Sequence, residues 1–168
     1  VEAFDATPAN IDKRTQTFNV GGVKVALLPK GSRGGAVSAE LMLRFGDATS
    51  IQGLGEIGSA VASLLDKGTT TLSRQQIHDR LDALKTELHI SGSANFVNVT
   101  LTTRREHLAA AIALVGDLLR NPALPPEALE EGRRQSLAGI EQQRKEPQYV
   151  ARNALARHTR QVLALEQD

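Results

Sequence analysis

The sequence contains no cysteine and no tryptophan, and only one tyrosine, one methionine and four phenylalanines occur among its 168 residues. The absence of cysteine excludes disulfides and zinc sites built from thiolates, and it fits an oxidising compartment as well as the cytosol. Because aromatic residues make up only 3% of a chain that is 40% apolar, leucine, valine, isoleucine and alanine must build its core.

An excess of charge is also lacking, since 20 basic and 19 acidic residues leave a net charge of +1. No basic run is interleaved with aromatic residues, so nothing in the sequence indicates a nucleic-acid partner. No apolar run approaches the length of a membrane span, and no internal repeat is visible. These absences leave a single globular domain as the expected class.

The most regular pattern lies in segment 53–69, which reads GLGEIGSAVASLLDKGT. Its apolar residues recur at helical spacing within an arc of about 100°; they are Leu54, Ile57, Val61, Leu64 and Leu65. We expect this face to be buried in the core. The opposite face carries the small residues Ser59, Ala62 and Ser63. Gly68 is expected to cap the helix at its C-terminal end.

Patterns on either side of this helix indicate a mixture of strands and helices. Strand-like alternation with turn signals occurs in four segments, which are 14–30 (a hairpin around Gly21-Gly22), 36–45, 88–93 and 95–103. Further helices are expected to begin at Ser73, Arg104, Pro126 and Pro147. Residues 1–10 are expected to be a linker or an extended lead-in. This order favours an α+β fold of two layers, with a mostly antiparallel sheet and helices packed on one face.

The helix followed by Leu64-Leu65 and Gly68-Thr69 resembles the signature helix of the pitrilysin/insulinase family of inverted zinc peptidases, which includes the mitochondrial processing peptidase. In that family the helix carries His-x-x-Glu-His, whose histidines bind zinc and whose glutamate activates the bound water. Counting back from Gly68-Thr69 places Ser59 and Ser63 at the two histidine positions and Ala62 at the glutamate position. Because serine is a poor zinc ligand and alanine cannot be a base, the resemblance implies a degenerate half without catalytic or metal-binding residues.

The resemblance also implies a companion half, a metal and a substrate. The family pairs a degenerate half with an active half, so zinc is expected only in a companion half, in the same chain or a separate subunit, with a peptide as substrate. This chain alone is then not an enzyme, although its parent could be a bacterial zinc metalloendopeptidase. The family's third zinc ligand, a glutamate on a later helix, falls near Ile140, with Glu141 one position away, and the sequence leaves this register open.

The family's unit continues with another strand and helix, so we expect residues 1–168 to be one half-domain that is truncated at its C-terminus. A missing strand would leave an open sheet edge, which keeps a homodimer among the expected partners. The chain begins without Met and shows no signal peptide, so its compartment is undetermined by sequence. The family favours the periplasm or another extracytoplasmic compartment. A purely structural interaction domain on the same fold remains the alternative function.

Two other patterns receive non-catalytic interpretations. Gly53, Gly55 and Gly58 form a Gly-x-Gly-x-x-Gly motif, typical of dinucleotide-binding turns. The preceding strand ends too early and another helix follows, so we interpret the glycines as close packing at a helix start and keep nucleotide binding as a remote alternative. The histidines are interpreted as surface or core imidazoles because no two lie one helical turn apart; they are His78, His89, His107 and His158. No histidine or aspartate neighbours Ser59 or Ser63 in sequence, so neither is expected to be a nucleophile.

Overall fold

The computed structural model describes residues 3–47 and 49–165. Its first sheet is the two-stranded hairpin that the sequence predicts. Strand β1 (Gln16–Val20) pairs antiparallel with β2 (Val23–Leu27). Gly21 and Gly22 have φ angles of 55° and 85°, which are the positive values that a two-residue hairpin turn requires. Nearly all side chains of this hairpin are exposed.

The lead-in prediction for residues 1–10 is wrong in part, because helix α1 (Pro8–Arg14) begins within it. Pro8 occupies the first turn, where its fixed φ favours the helix and its missing N–H costs no hydrogen bond. Arg14 donates a hydrogen bond from Nη2 to the carbonyl of Pro29 at 2.7 Å. The guanidinium of Arg14 and the ammonium of Lys30 both lie over the ring of Phe4. These contacts hold α1 against the end of the hairpin.

The second sheet has three antiparallel strands in the order β3-β5-β4. They are β3 (Ala36–Arg44), β4 (Glu87–Gly92) and β5 (Phe96–Arg104). Alternate residues of the central strand β5 are buried on one face, and these are Val97, Val99, Leu101 and Thr103. Helices pack on that face, so the two-layer α+β architecture expected from the sequence is present.

Three helices cover this sheet, namely α2 (Gly55–Leu64), α3 (Arg74–Ala83) and α4 (Leu108–Arg120). Ser73 begins α3 with a capping box, in which its hydroxyl accepts from the Gln76 N–H and the Gln76 side chain accepts from the Ser73 N–H. Helix α4 contributes its face of Ala111, Leu114, Val115 and Leu118 to the core. The core therefore lies between β5 and the helices α2, α3 and α4.

Two long helices complete the described chain, α5 (Pro126–Gln143) and α6 (Pro147–Leu165). No residue of α5 is buried, and its apolar side chains Leu129, Leu137 and Ile140 are exposed. Helix α5 lies beside α2, while α6 makes few contacts with the rest of the described chain. Within residues 3–47 and 49–165, no helix is long and apolar enough to cross a membrane.

Candidate functional site

Helix α2 lies directly on the turn between β4 and β5, and its small residues face that turn. A Cβ added to Gly58 would overlap the backbone carbonyl of Ser93. One turn later, a Cβ added to Gly92 would come within 2.7 Å of the Ala62 methyl group. Only 1% of Ala62 is exposed. The absence of side chains at Gly58 and Gly92 therefore sets the distance between helix and sheet.

The sequence prediction of the buried face of α2 is consequently wrong for three of its five residues. Leu54, Ile57 and Val61 are exposed by 40%, 56% and 39%, whereas Leu64 and Leu65 are buried. The helix is rotated so that Gly58 and Ala62 face the sheet, because small residues allow closer backbone approach than leucine does. Ser59 and Ser63 are exposed on either side of this contact. The helix also ends at Leu64 rather than near Thr69, so Gly68 is not its immediate cap.

Of the three side chains matched to the family's zinc-binding motif, Ser59 and Ala62 contact the end of β4, whereas Ser63 bonds only within its own helix. The Ser59 hydroxyl donates to the carbonyl of Gly92 at 3.0 Å, which joins α2 to the end of β4. The Ser63 hydroxyl donates to the carbonyl of Ala60 within the same helix at 2.7 Å. Ala62 presents a buried methyl group between them. Two neutral hydroxyls and a methyl group do not fit a zinc ion, which needs imidazole, carboxylate or thiolate ligands.

The third ligand position of the family falls on α5. Ile140 and Glu141 are both exposed on that helix, and α5 is the helix that lies beside α2. In the described ranges, no group of three or more His, Cys, Asp or Glu side chains is close enough to hold a metal ion. The choice between Ile140 and Glu141 stays a prediction.

The four histidines lie on four separate elements, as the sequence predicts. His78 is on α3 with its Nδ1 3.4 Å from the Asp82 carboxylate, and His107 precedes α4 with its Nε2 3.5 Å from Glu106. His89 is exposed on β4 and His158 on α6. The fold does not bring these imidazoles together as a ligand set in the described part of the chain.

The Gly68-Thr69 pair has a structural role that sequence reasoning missed. The N–H of Thr69 donates to the carbonyl of Leu72 at 2.8 Å, and its hydroxyl accepts from the Leu72 N–H at 3.0 Å. The carbonyl of Gly68 accepts from the N–H of Ala123 at 3.0 Å. Thr69 is itself buried. The pair thus joins the end of α2 to the start of α3 and to the segment after α4, and only the folded chain reveals this role.

Within the glycine motif, Gly58 has the packing role that we expected, whereas a Cβ added at Gly53 would meet no atom within 4 Å. Gly58 is covered by the carbonyl of Ser93, so that part of the motif is closed to a phosphate. Gly53 adopts a φ of 77° in the loop before α2. The strands of the described chain pair only antiparallel, whereas a dinucleotide fold places this motif between parallel strands. The fold therefore gives the nucleotide alternative no support.

The loop before α2 contains Asp47, a carboxylate whose pKa is clearly lowered. Asp47 Oδ1 accepts hydrogen bonds from the N–H groups of Ser50 at 2.9 Å and of Thr49 at 3.1 Å. The Ser50 backbone and side chain, followed by the Thr49 N–H, lower the pKa of Asp47 below its ordinary value of 3.8. These bonds favour the charged form and shape the loop that leads into α2.

An α+β domain with helices packed on one face of an antiparallel sheet is the class that this geometry defines. The family model for Insulinase (Peptidase family M16) matches residues 52–168. The chain therefore belongs to peptidase family M16. A search of curated proteins finds no match.

Solved structures with the same fold include three M16-like or protease chains. A peptidase M16 inactive domain from Pseudomonas fluorescens is 18% identical, with a TM-score of 0.66, over 82% of this chain and 34% of that chain. The ferredoxin protease FusC, in complex with Arabidopsis ferredoxin, is 17% identical with a TM-score of 0.59 over 75% of this chain and 14% of its own. A protease from Helicobacter pylori is 14% identical with a TM-score of 0.56 over 71% and 29%. The chain thus spans about a third or less of each of these proteins.

Proposed function

We propose that this chain is the non-catalytic half of a zinc-metallopeptidase-like protein. It shapes the substrate chamber and supports peptide binding for an active half, which lies elsewhere in the parent protein or in a partner. The observation that carries the proposal is the set of matched positions on α2, where Ser59 bonds the carbonyl of Gly92, Ala62 is buried and Ser63 is exposed. Such positions offer neither an imidazole for zinc nor a base for water.

The open face of the three-stranded sheet suits a chamber wall. In the part of the chain that the structure describes, α2, α3 and α4 pack on one face of this sheet, and the other face carries polar side chains in rows across the strands. In one row, Thr100 of β5 lies between Glu40 of β3 and His89 of β4. An antiparallel sheet with one solvated face presents such hydrogen-bonding groups to a peptide without exposing the core.

The first test is a calorimetric titration of the purified chain with zinc, together with its metal content as isolated. We expect no stoichiometric zinc, because the α2 face lacks ligands. One tightly bound zinc would mean that scattered residues such as His78, His89 or Glu141 converge, and the non-catalytic assignment would be withdrawn.

The second test concerns the companion. The gene that encodes this chain and its neighbours is searched for a half with His-x-x-Glu-His, and that half is assayed on a quenched fluorescent peptide library with and without this chain. We expect the chain to lower the KM of the active half, because peptide contacts are shared across the chamber. Absence of such a half from these genes would remove the peptidase role.

The exposed apolar side chains of α5 and α6, such as Leu137 and Leu155, favour a second candidate, a purely structural interaction domain on the same fold. It predicts stable association with a partner and no effect on peptide turnover. The same assay therefore separates the two functions. We also propose an extracytoplasmic compartment such as the periplasm, which a cysteine-free chain tolerates; fractionation of the source cells with an antibody against this chain tests it.

A further inference from the structure

A notch lies at the end of the three-stranded sheet where β3 begins and β5 ends. The ladder between these strands starts at the pair Ala36–Arg104. A short 3-10 turn (Arg33–Gly35) precedes β3, and another (Arg105–His107) follows β5. The notch has a volume of about 350 Å³ and is lined by Gly34, Gly35, Arg104, Arg105 and Glu106. This volume lies at the lower end of the range of small-ligand sites, so the notch suits a side chain or a small ion.

Bare backbone lines part of this notch. Gly34 and Gly35 have φ angles of 68° and 66°, which residues with a side chain rarely adopt. A Cβ added at either position would meet no atom within 4 Å, so neither glycine is needed for close packing inside the fold. The two glycines therefore shape the turn before β3 and leave space beside the charged groups of the notch.

Two guanidinium groups also line the notch. Arg104 and Arg105 are both exposed, and within residues 3–47 and 49–165 neither takes part in an ion pair. The carboxylate of Glu106, which lines the notch as well, lies 3.5 Å from Nε2 of His107. The N–H donors of both arginines are therefore available to a ligand, since no carboxylate of the described chain engages them.

The segments that form the notch carry an excess of positive charge. Residues 30–36 and 104–106 include four basic side chains and one acidic side chain, which gives them a net charge of +3, whereas the whole chain has a net charge of +1. On β4, Glu87 pairs across the ladder with Thr102 and lies on the same face as Arg104, but the two form no ion pair in the described chain. Clustered charges of one sign attract counter-charged ligands over about 10 Å at 0.1 M salt.

We propose that this notch binds the carboxylate of an acidic side chain in a peptide, with Arg104 and Arg105 as its ligands. A guanidinium presents N–H donors in a planar fork that matches the two oxygens of a carboxylate, and it stays charged at every physiological pH. The inference rests on the proposed function for its peptide and deepens it, because it names peptides with acidic residues as the class that is bound.

The position of Arg104 in the sheet favours a peptide over a free phosphate ion, although arginine recognises both by the same chemistry. Thr103 is buried on the face that the helices cover. Because successive side chains of a strand point to opposite faces, Arg104 lies on the open face with Thr100 and Thr102. A peptide on that face meets hydroxyl groups along β5 and a guanidinium at its end, whereas a phosphate ion would use the guanidinium alone.

A titration of the 168-residue chain, followed by the amide signals of Gly34 and Gly35 in NMR spectra at low salt, tests the site. The probe is a short peptide of glutamates with blocked ends, and the matched peptide of glutamines is its uncharged control. We expect saturable shifts of both glycine signals with the glutamate peptide and none with the glutamine peptide. Equal shifts from both peptides, or equal shifts from inorganic phosphate at the same concentration, would overturn a site for acidic peptides.

Substitution of the arginines tests which groups bind the carboxylate. We expect Arg104→Gln and Arg105→Gln each to raise the Kd of the glutamate peptide about three- to fivefold, as for an exposed ion pair, and the double variant to abolish saturation. Arg74→Gln, on the first turn of α3, removes the same charge outside the notch and should leave the Kd unchanged. Circular dichroism verifies that each variant is folded. A double variant that binds normally, or an equal loss in Arg74→Gln, would refute the assignment.

Two further comparisons separate this site from the proposed function. The parent protein, labelled at glycine, should show the same two shifts with the glutamate peptide; a response of the 168-residue chain alone would mean that another part of the parent fills the notch, and the proposal would fail. In the assay with the active half, peptide binding without any effect on KM would remove the peptidase role and leave this site in place. A lowered KM without shifts of Gly34 and Gly35 would remove the site and leave the peptidase role.

Discussion

At Gly58, the lack of a Cβ determines how closely α2 approaches the β4–β5 turn. A methyl group there would overlap the carbonyl of Ser93, which is backbone and cannot move aside alone. We therefore expect Gly58→Ala to lower the free energy of unfolding by about 1–3 kcal/mol, despite alanine's better helix propensity. Urea unfolding followed by circular dichroism measures this change.

Gly132 on α5 provides the matched control, since the same substitution there meets no atom within 4 Å. Gly132→Ala should raise the free energy of unfolding, or leave it unchanged if α5 unfolds separately, by at most about 1 kcal/mol. Opposite signs at the two glycines would support the packing of α2. Equal effects would mean that α2 does not lie on Ser93.

The lowered pKa of Asp47 links the protonation of its carboxylate to the stability of the folded chain. Its pKa is lowered in the folded chain, so the stabilisation is complete above the unfolded pKa and is lost as pH falls through the folded pKa. We expect carboxyl NMR titration to place the pKa of Asp47 below 3.8. Ser50→Ala should move it back toward that value, because the Ser50 hydroxyl bonds to the Asp47 N–H and supports the turn. An Asp47 pKa at or above 3.8 in the original chain would contradict this account.

At the level of single elements, sequence patterns correctly predicted the elements whose structure is determined by residues close to one another in sequence. The hairpin follows from Gly21-Gly22, and α3 begins at Ser73 because the capping box needs only residues three apart. The buried face of α2 could not be predicted in this way. Periodicity identifies the larger apolar face, but Gly58 and Ala62 pack against a turn that is distant in sequence, and that contact decides the orientation.

The orientation of α2 makes a prediction about restoring the family's motif. Ala62 is 1% exposed beside Gly92, so Ala62→Glu would bring an unpaired carboxylate into the core. We expect a loss of about 3 kcal/mol or more in the free energy of unfolding. Ser63→Glu, on the exposed side of the same helix, should change it by about 0.5 kcal/mol or less. Thermal unfolding of both variants checks this.

If the two glutamate variants were equally stable, Ala62 would have to face solvent. The matched positions on α2 would then lack zinc ligands but would not be closed by packing. With the difference expected here, the site is also closed, because helix and sheet lie too close to leave room for a larger side chain at Ala62. The sequence alone identifies Ser59, Ala62 and Ser63 as the matched positions, and that match stays a prediction. The packing around Ala62 could not be predicted, because it depends on Gly92 and Ser93, which are distant in sequence.

Across the whole molecule, the buried residues are concentrated between Ala62 and Leu118. Helix α5 contains no buried residue, and the apolar side chains Leu137 and Ile140 remain exposed on it. Helical periodicity predicted both long helices correctly, because it reads local spacing. It could not predict whether their apolar faces are covered, because covering requires a surface from elsewhere in the fold or from a partner.

Amide hydrogen exchange should therefore divide the chain into two levels of protection. Exchange from β5 and α4 requires loss of the core, so their slowest amides should report the global free energy of unfolding. The amides of α5 and α6 should exchange through local opening at a lower free energy, because few buried contacts oppose it. A chain shortened to residues 1–124 should keep the slow exchange of β5. If α5 were protected as strongly as α4, or if the shortened chain lost the protection of β5, the long helices would belong to the same cooperative unit as the core, and their apolar faces would have to be covered within this chain.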